Sequence, residues 1–159
     1  MTGPTTDDPQ PPDRRRSLLV AGAIGVGLMA AVDEIVFHQI LAWHHFYDRS
    51  TPEVAVLSDG LLHSVELVLL VAGFFGFADL RRRGALHRSA GWAGLLLGAG
   101  AFQLGDGVVD HKVLRVHQVR YDVDLLPYDV AWIGAGVLLL AAGAVVGARA
   151  ARPERARRR

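Results

Sequence analysis

Asp33, His38, His44, Asp59, His63, Glu66, Asp106, Asp110, His111 and His117 are the residues of this 159-residue chain best suited to chemistry. All are imidazoles or carboxylates. The chain has no cysteine, and its only sulfur is in Met1 and Met29. This excludes disulfide frameworks, thiolate nucleophiles, Cys-type zinc sites and iron–sulfur clusters. Nitrogen and oxygen donors suit a divalent transition metal, Zn, Fe, Mn or Cu(II), better than Cu(I), which prefers sulfur. The same acids and histidines could instead pass protons or ions along a relay without a fixed metal.

The elements that must carry these residues are apolar. Long uncharged stretches rich in Leu, Val, Ala and Gly cover 17–32, 67–78, 89–105 and 130–148, and none alternates as a strand would. A bilayer core of about 30 Å needs about 20 helical residues. Only the last run comes near that unaided. The other three span only by taking in their ionisable flanks: Asp33, Glu34 and His38; Asp59, His63 and Glu66; Asp106, Asp110 and His111. The polar residues therefore belong to membrane helices, where each ionised group costs on the order of 2.5–3.5 kcal/mol and so requires a partner.

Thirteen of the seventeen Lys and Arg residues fall on one side of these helices, in clusters at Arg14–Arg16, at Arg81–Arg83 with Arg88, and from Arg149 to Arg159. The positive-inside rule then places both termini in the cytoplasm of a multi-pass protein of the cell membrane. Arginine runs without interleaved aromatics, beside membrane spans, argue against nucleic acid as a partner. Arg14-Arg15-Arg16 before an apolar stretch also resembles a twin-arginine signal, a reading set aside because this segment is half of an internal repeat.

A shift of 73 residues superposes the first and third apolar runs, placing Gly25 on Gly98, Asp33 on Asp106, His38 on His111 and His44 on His117. Both copies read D-x4-H-x5-H. A shift of 70 then places Asp59 on Asp129 and Gly73 on Gly143. Two tandem helical hairpins related by a pseudo-twofold axis along the membrane normal are expected. The fold expected is all-α, an integral membrane four-helix bundle. It has a leader over 1–16, repeats over 17–79 and 90–149 within a membrane domain of 17–149, and a basic tail over 150–159. Small residues at four-residue spacing, Gly94 with Gly98 and Gly143 with Gly147, suit close helix approach.

With helices entering near Ser17 and Ser89, Asp33 and Asp106 lie about 24–26 Å further on, in the outer leaflet. On ideal α-helical geometry Asp59, His63 and Glu66 form one stripe. Asp33 shares a face with His44, and Glu34, His38 and His45 make a second face about 100° away. The repeats are unequal: Glu34, His45, His63 and Glu66 align with Gly107, Gln118, Ile133 and Gly136. His38, His63 and His111 are the leading ligand candidates, with Glu66, Asp106 and Asp110 as carboxylate ligands or bases and His44 and His117 as further ligands. Asp33 and Asp59 would fix histidine tautomers. His87 is expected to be solvated, Asp129 to cap the fourth helix, and Lys112 to reach the outer surface. Beyond the lipid bilayer, a homo-oligomer or another membrane partner is left open.

The motifs Asp33-x4-His38-Gln39-Ile40-Leu41-x-Trp43-His44-His45, Ser58-Asp59-Gly60-Leu61-Leu62-His63 and Val109-Asp110-His111-x2-Leu114-x2-His117-x-Val119-Arg120 together resemble a bacterial predicted-membrane-protein family, domain of unknown function 2243, over roughly 17–147. The resemblance implies an integral membrane protein of about four helices. It carries no activity. Gln118, Asp106 and Glu34 stand where that family's pattern more often has His, Glu and Gly.

Overall fold

The computed structural model describes residues 11–157. Four long helices carry the chain: α1 (Arg14–Asp33), α2 (Pro52–Arg82), α3 (Arg88–Gly105) and α4 (Leu126–Arg157). α1 continues without a break into a π-helical segment, Glu34–Ile40, and α3 into another, Asp106–Leu114. There is no strand among the described residues, only an isolated bridge between Asp13 and Leu86. The apolar spans are 26 to 31 residues long, about 40 Å or more of helix, enough to cross a bilayer core.

Local signals place the helix ends. Asp13 caps α1 by accepting from the Arg16 N–H at 2.9 Å, so α1 begins three residues before the expected entry at Ser17, and Arg14–Arg16 form its first turn. Of the expected leader, residues 1–10 lie outside the described residues. Pro52 starts α2 at a position where its missing N–H costs nothing. His87, expected to be solvated, caps α3 instead: its Nδ1 accepts from the Ala90 N–H at 3.2 Å, and its own N–H donates to Ser17 Oγ at 2.9 Å. The expected basic tail continues α4 as helix to Arg157.

The helices stand in the order α2, α1, α3, α4. α1 packs on α3 along its length, α2 flanks α1, α4 flanks α3, and among the described residues α2 and α4 do not approach each other. Glycine permits the central contact. A Cβ built on Gly25 would lie 2.1 Å from the Leu95 carbonyl oxygen, and one built on Gly98 would lie 2.1 Å from that of Gly22. These are the same contact seen from the two repeats, since 25 and 22 become 98 and 95 at the shift of 73. The outer helices repeat the relation: Gly73 meets Ile24 and Gly143 meets Leu97. α1 and α3 thus touch backbone to backbone, as small residues allow in lipid. α2 and α4 turn Leu57, Leu61, Val68, Phe75, Val130 and Leu138 outward, all more than 60% exposed, an apolar surface too extensive for a water-facing bundle.

Candidate metal centre

At the end of the bundle remote from the arginine clusters, the sequence departs from α-helical geometry in both repeats at once. The π-helical segments start at Glu34 and at Asp106. Their wider turn, hydrogen-bonded from residue i to i+5, brings residues five apart onto one face. Gln39 Nε2 accordingly donates to Glu34 Oε1 at 2.8 Å. It also puts Asp33 beside His38 and Asp106 beside His111, pairs that an ideal α-helix would hold on different faces. The two-stripe arrangement expected from 3.6-residue periodicity is corrected here.

Beyond the π-helical segments the chain reverses through Ala42 (φ 47°) and Arg115 (φ 52°), equivalent positions that both adopt the left-handed conformation uncommon for residues other than glycine. Each reversal folds a loop back over the bundle end, so His44 and His117 lie in loops rather than on the helix faces expected. The loops clasp each other. His44 Nδ1 donates to the Val119 carbonyl at 2.8 Å, and His117 Nδ1 donates to the Phe46 carbonyl at 2.9 Å. A carbonyl only accepts, so both Nδ1 atoms carry hydrogen and the Nε2 atoms face inward.

The centre so formed contains four buried imidazoles and two buried carboxylates: His38, His44, His111, His117, Asp33 and Asp106. The rings of His44 and His117 stack parallel, with centroids 4.7 Å apart, and His38 and His111 each stand edge-on to one of them at 4.6 Å. Asp33 turns its oxygens toward Nε2 of His38 and His44 at 3.6 and 3.9 Å. Asp106 does the same toward His111 and His117 at 3.1 and 3.2 Å. None of the four Nε2 atoms makes a hydrogen bond among the described residues. Ligand atoms of His44, His111 and His117 lie within 4.8 Å of one another, as do those of Asp33, His38 and His44. Burial in the loop layer, with His117 and His38 adjacent, pushes His44 down to about 3, so its imidazole is neutral and its Nε2 keeps a lone pair. Burial also acts against charge on His117, but the Asp106 carboxylate outweighs it and holds the group above its ordinary value. These buried His and Asp groups could hold a metal ion.

A family model described as predicted membrane protein (DUF2243) matches residues 20–150. The chain belongs to the DUF2243 family. No curated protein and no solved structure matches it.

In this DUF2243 chain the ten candidate residues divide. Six form the centre just described. Asp59 lies behind His38, its Oδ1 3.1 Å from the His38 Nδ1. His63 and Glu66 pair with each other at 2.6 Å, with the His63 side chain 56% exposed on the outward side of α2. The structure brings neither into the central set. Asp110 lies beside that set and outside it, its backbone carbonyl accepting from Val116 N–H at 3.0 Å. Asp129, expected to cap α4, sits in the first turn of that helix and binds Lys112 Nζ at 2.6 Å; Lys112, expected to reach the surface, is held there. Arg120 lies over the Trp43 ring at 4.9 Å.

Three residues near the centre were not singled out as ligands or their partners. Glu34 and His45 approach His38 and Asp59, and their signal was the shared stripe with His38. Trp132 donates its indole N–H to Asp106 Oδ2 at 2.9 Å, and nothing in the sequence marked it. Over His117 a cavity of about 460 Å³, lined by Asp48, Arg49, Arg115, Gln118 and Tyr121, opens toward the loop surface. Burial and Asp48 push Tyr121 there up to about 12.

Proposed function

We propose that this is an integral membrane metal-binding protein, in which His38, His44, His111, His117, Asp33 and Asp106 hold a divalent transition metal, Zn, Fe, Mn or Cu, where two tandem hairpin repeats meet. The observation that carries the reading is a pair of buried sets that share His44, one with His111 and His117 and one with Asp33 and His38, whose four Nε2 atoms have no hydrogen bond among the described residues, two of them aimed by carbonyl-bound Nδ1–H groups. Leaving that many buried polar atoms unsatisfied is costly, whereas a cation held by either set satisfies several at once. The tied Nδ1–H is also the usual partner arrangement of a metal-ligating histidine. When bound, such an ion would supply Lewis-acid or redox chemistry or would be the cargo of metal handling. The residues of the chain position it and shield it from water, and the cavity over His117 is the route to it from the loop side. With the arginine clusters in the cytoplasm, that side faces outward across the cell membrane.

A transmembrane proton relay fits less well. Between the centre and the arginine-rich end the buried polar groups among the described residues are Glu66, Gln103 and Ser17, and below Glu66, which lies beside Gly27, no buried titratable group continues to the other side. Elemental analysis of the detergent-purified protein tests the proposal. A stoichiometric metal that is lost in His44→Ala and His117→Ala variants supports it; no metal in the intact chain after loading with Zn(II), Fe(II), Mn(II) or Cu(II) overturns it.

A further inference from the structure

The first repeat buries more carboxylates than the second. Asp33, Glu34, Asp59 and Glu66 are all at most 3% exposed, and their ion-pair partners among the described residues are histidines alone. The aligned positions of the second repeat are Asp106, Gly107, Asp129 and Gly136. There Asp129 has Lys112 and Asp106 has the Trp132 indole. Trp132 fills the place a side chain at 107 would take, since a Cβ on Gly107 would lie 2.7 Å from its ring. One half of the pseudo-symmetric centre thus pairs its carboxylates with Lys112 and Trp132, while the other holds four buried carboxylates paired with histidines alone among the described residues. Buried carboxylates in that number need a positive partner in low dielectric.

The atoms that lack one converge on the outer edge of His38. Its Nδ1 lies 2.8 Å from Glu34 Oε2 and 3.1 Å from Asp59 Oδ1. A single N–H serves one of these well: Asp59 takes the hydrogen bond, and the buried Glu34 Oε2 is left with none. The ligand atoms of Glu34, His38 and Asp59 all lie within 4.8 Å of one another. His45, its side chain 38% exposed, approaches Asp59 Oδ2 at 2.6 Å from the loop side.

We infer that Glu34, Asp59 and His38 Nδ1 form a second divalent-cation site, inequivalent to the central one and joined to it through the His38 imidazole. This rests on the central reading for the role of the other His38 nitrogen. The second ion is held by two carboxylates and one imidazole, a donor set that favours Mn, Fe(II) or Zn. His38 gives up its ring N–H proton to solvent when both nitrogens are ligated, and the bridging imidazolate then adds a further negative charge between the two cations. His45 flanks the site from the loop side.

The test counts ions. The full chain in detergent micelles, loaded with Zn(II) and desalted, is expected to retain two equivalents. Glu34→Gln and Asp59→Asn, which keep shape and change only charge, should each retain one. One equivalent in the intact chain overturns the second site and leaves the central one standing, whereas none overturns both. Two equivalents that survive both substitutions also overturn it. Loading with Cu(II) keeps the inference falsifiable should either variant fail to fold. Two ions sharing His38 give a magnetically coupled pair in electron paramagnetic resonance, and two independent mononuclear signals would overturn the bridge.

Discussion

At the residue scale, the division of labour between the two nitrogens of each histidine is what gives the centre its character. His44 and His117 spend Nδ1 on a carbonyl of the opposite loop and keep Nε2 for the interior. Binding a cation therefore requires no ring rotation and no loss of the loop clasp. The carboxylates are held less evenly, because Asp106 accepts from the Trp132 indole while Asp33 has no such donor among the described residues. Trp132→Phe keeps an aromatic ring beside Phe37 and removes that N–H together with one ring of the indole. Groups that orient a ligand from behind are typically worth 10–100-fold in metal affinity. A fall of about that size, measured by chelator competition on the folded variant, is the expected outcome. An unchanged affinity would mean that the indole packs against the site without tuning it.

At the element scale, the close approach of α1 and α3 sets the site, because it fixes how near the two π-helical segments come. A methyl group at Gly25 or Gly98 would have to occupy the space of a facing carbonyl oxygen at 2.1 Å, and backbone cannot move aside as a flexible side chain would. Gly25→Ala and Gly98→Ala are each expected to destabilise by about 1–3 kcal/mol or more and to weaken metal binding with it. Gly60→Ala, on α2 with nothing within 4 Å, is expected to be neutral or to stabilise by up to about 1 kcal/mol through helix propensity. Thermal unfolding in detergent compares all three. Equal melting temperatures would show that the helices can separate without penalty.

At the scale of the whole molecule, the row of four helices leaves α2 and α4 facing lipid over most of their length, and the two ends differ in chemistry. One end holds the arginine clusters, with Asp79 taking Arg16, Arg82 and Arg83. The other holds the histidine centre beneath its clasped loops. The absence of native cysteine makes the orientation directly measurable. In intact cells, a membrane-impermeant maleimide is expected to label Thr51→Cys in the loop before α2, and to label Arg83→Cys only after permeabilisation. The reverse pattern would place the metal centre on the cytoplasmic side.

Much of this was legible in the sequence by itself. Apolar run length and the segregation of arginine depend on the bilayer as a solvent, which acts on each helix separately, so four spans could be read without knowing their packing. The D-x4-H-x5-H repeat likewise marked Asp33, His38, His44 and their counterparts, because duplicated polar residues in apolar surroundings stand out by type alone. What only the tertiary structure decided is which of these residues meet. Sequence periodicity assumes 3.6 residues per turn, but α1 and α3 each widen to a π turn at an acid and then reverse through Ala42 or Arg115, moving His38 and His44 onto Asp33. Asp59 and His45 joined them and His63 did not, because the register between α1 and α2 comes from glycine-mediated contacts between distant segments. That register turns His63 outward, while His38, His44, His111 and His117 close around a common centre.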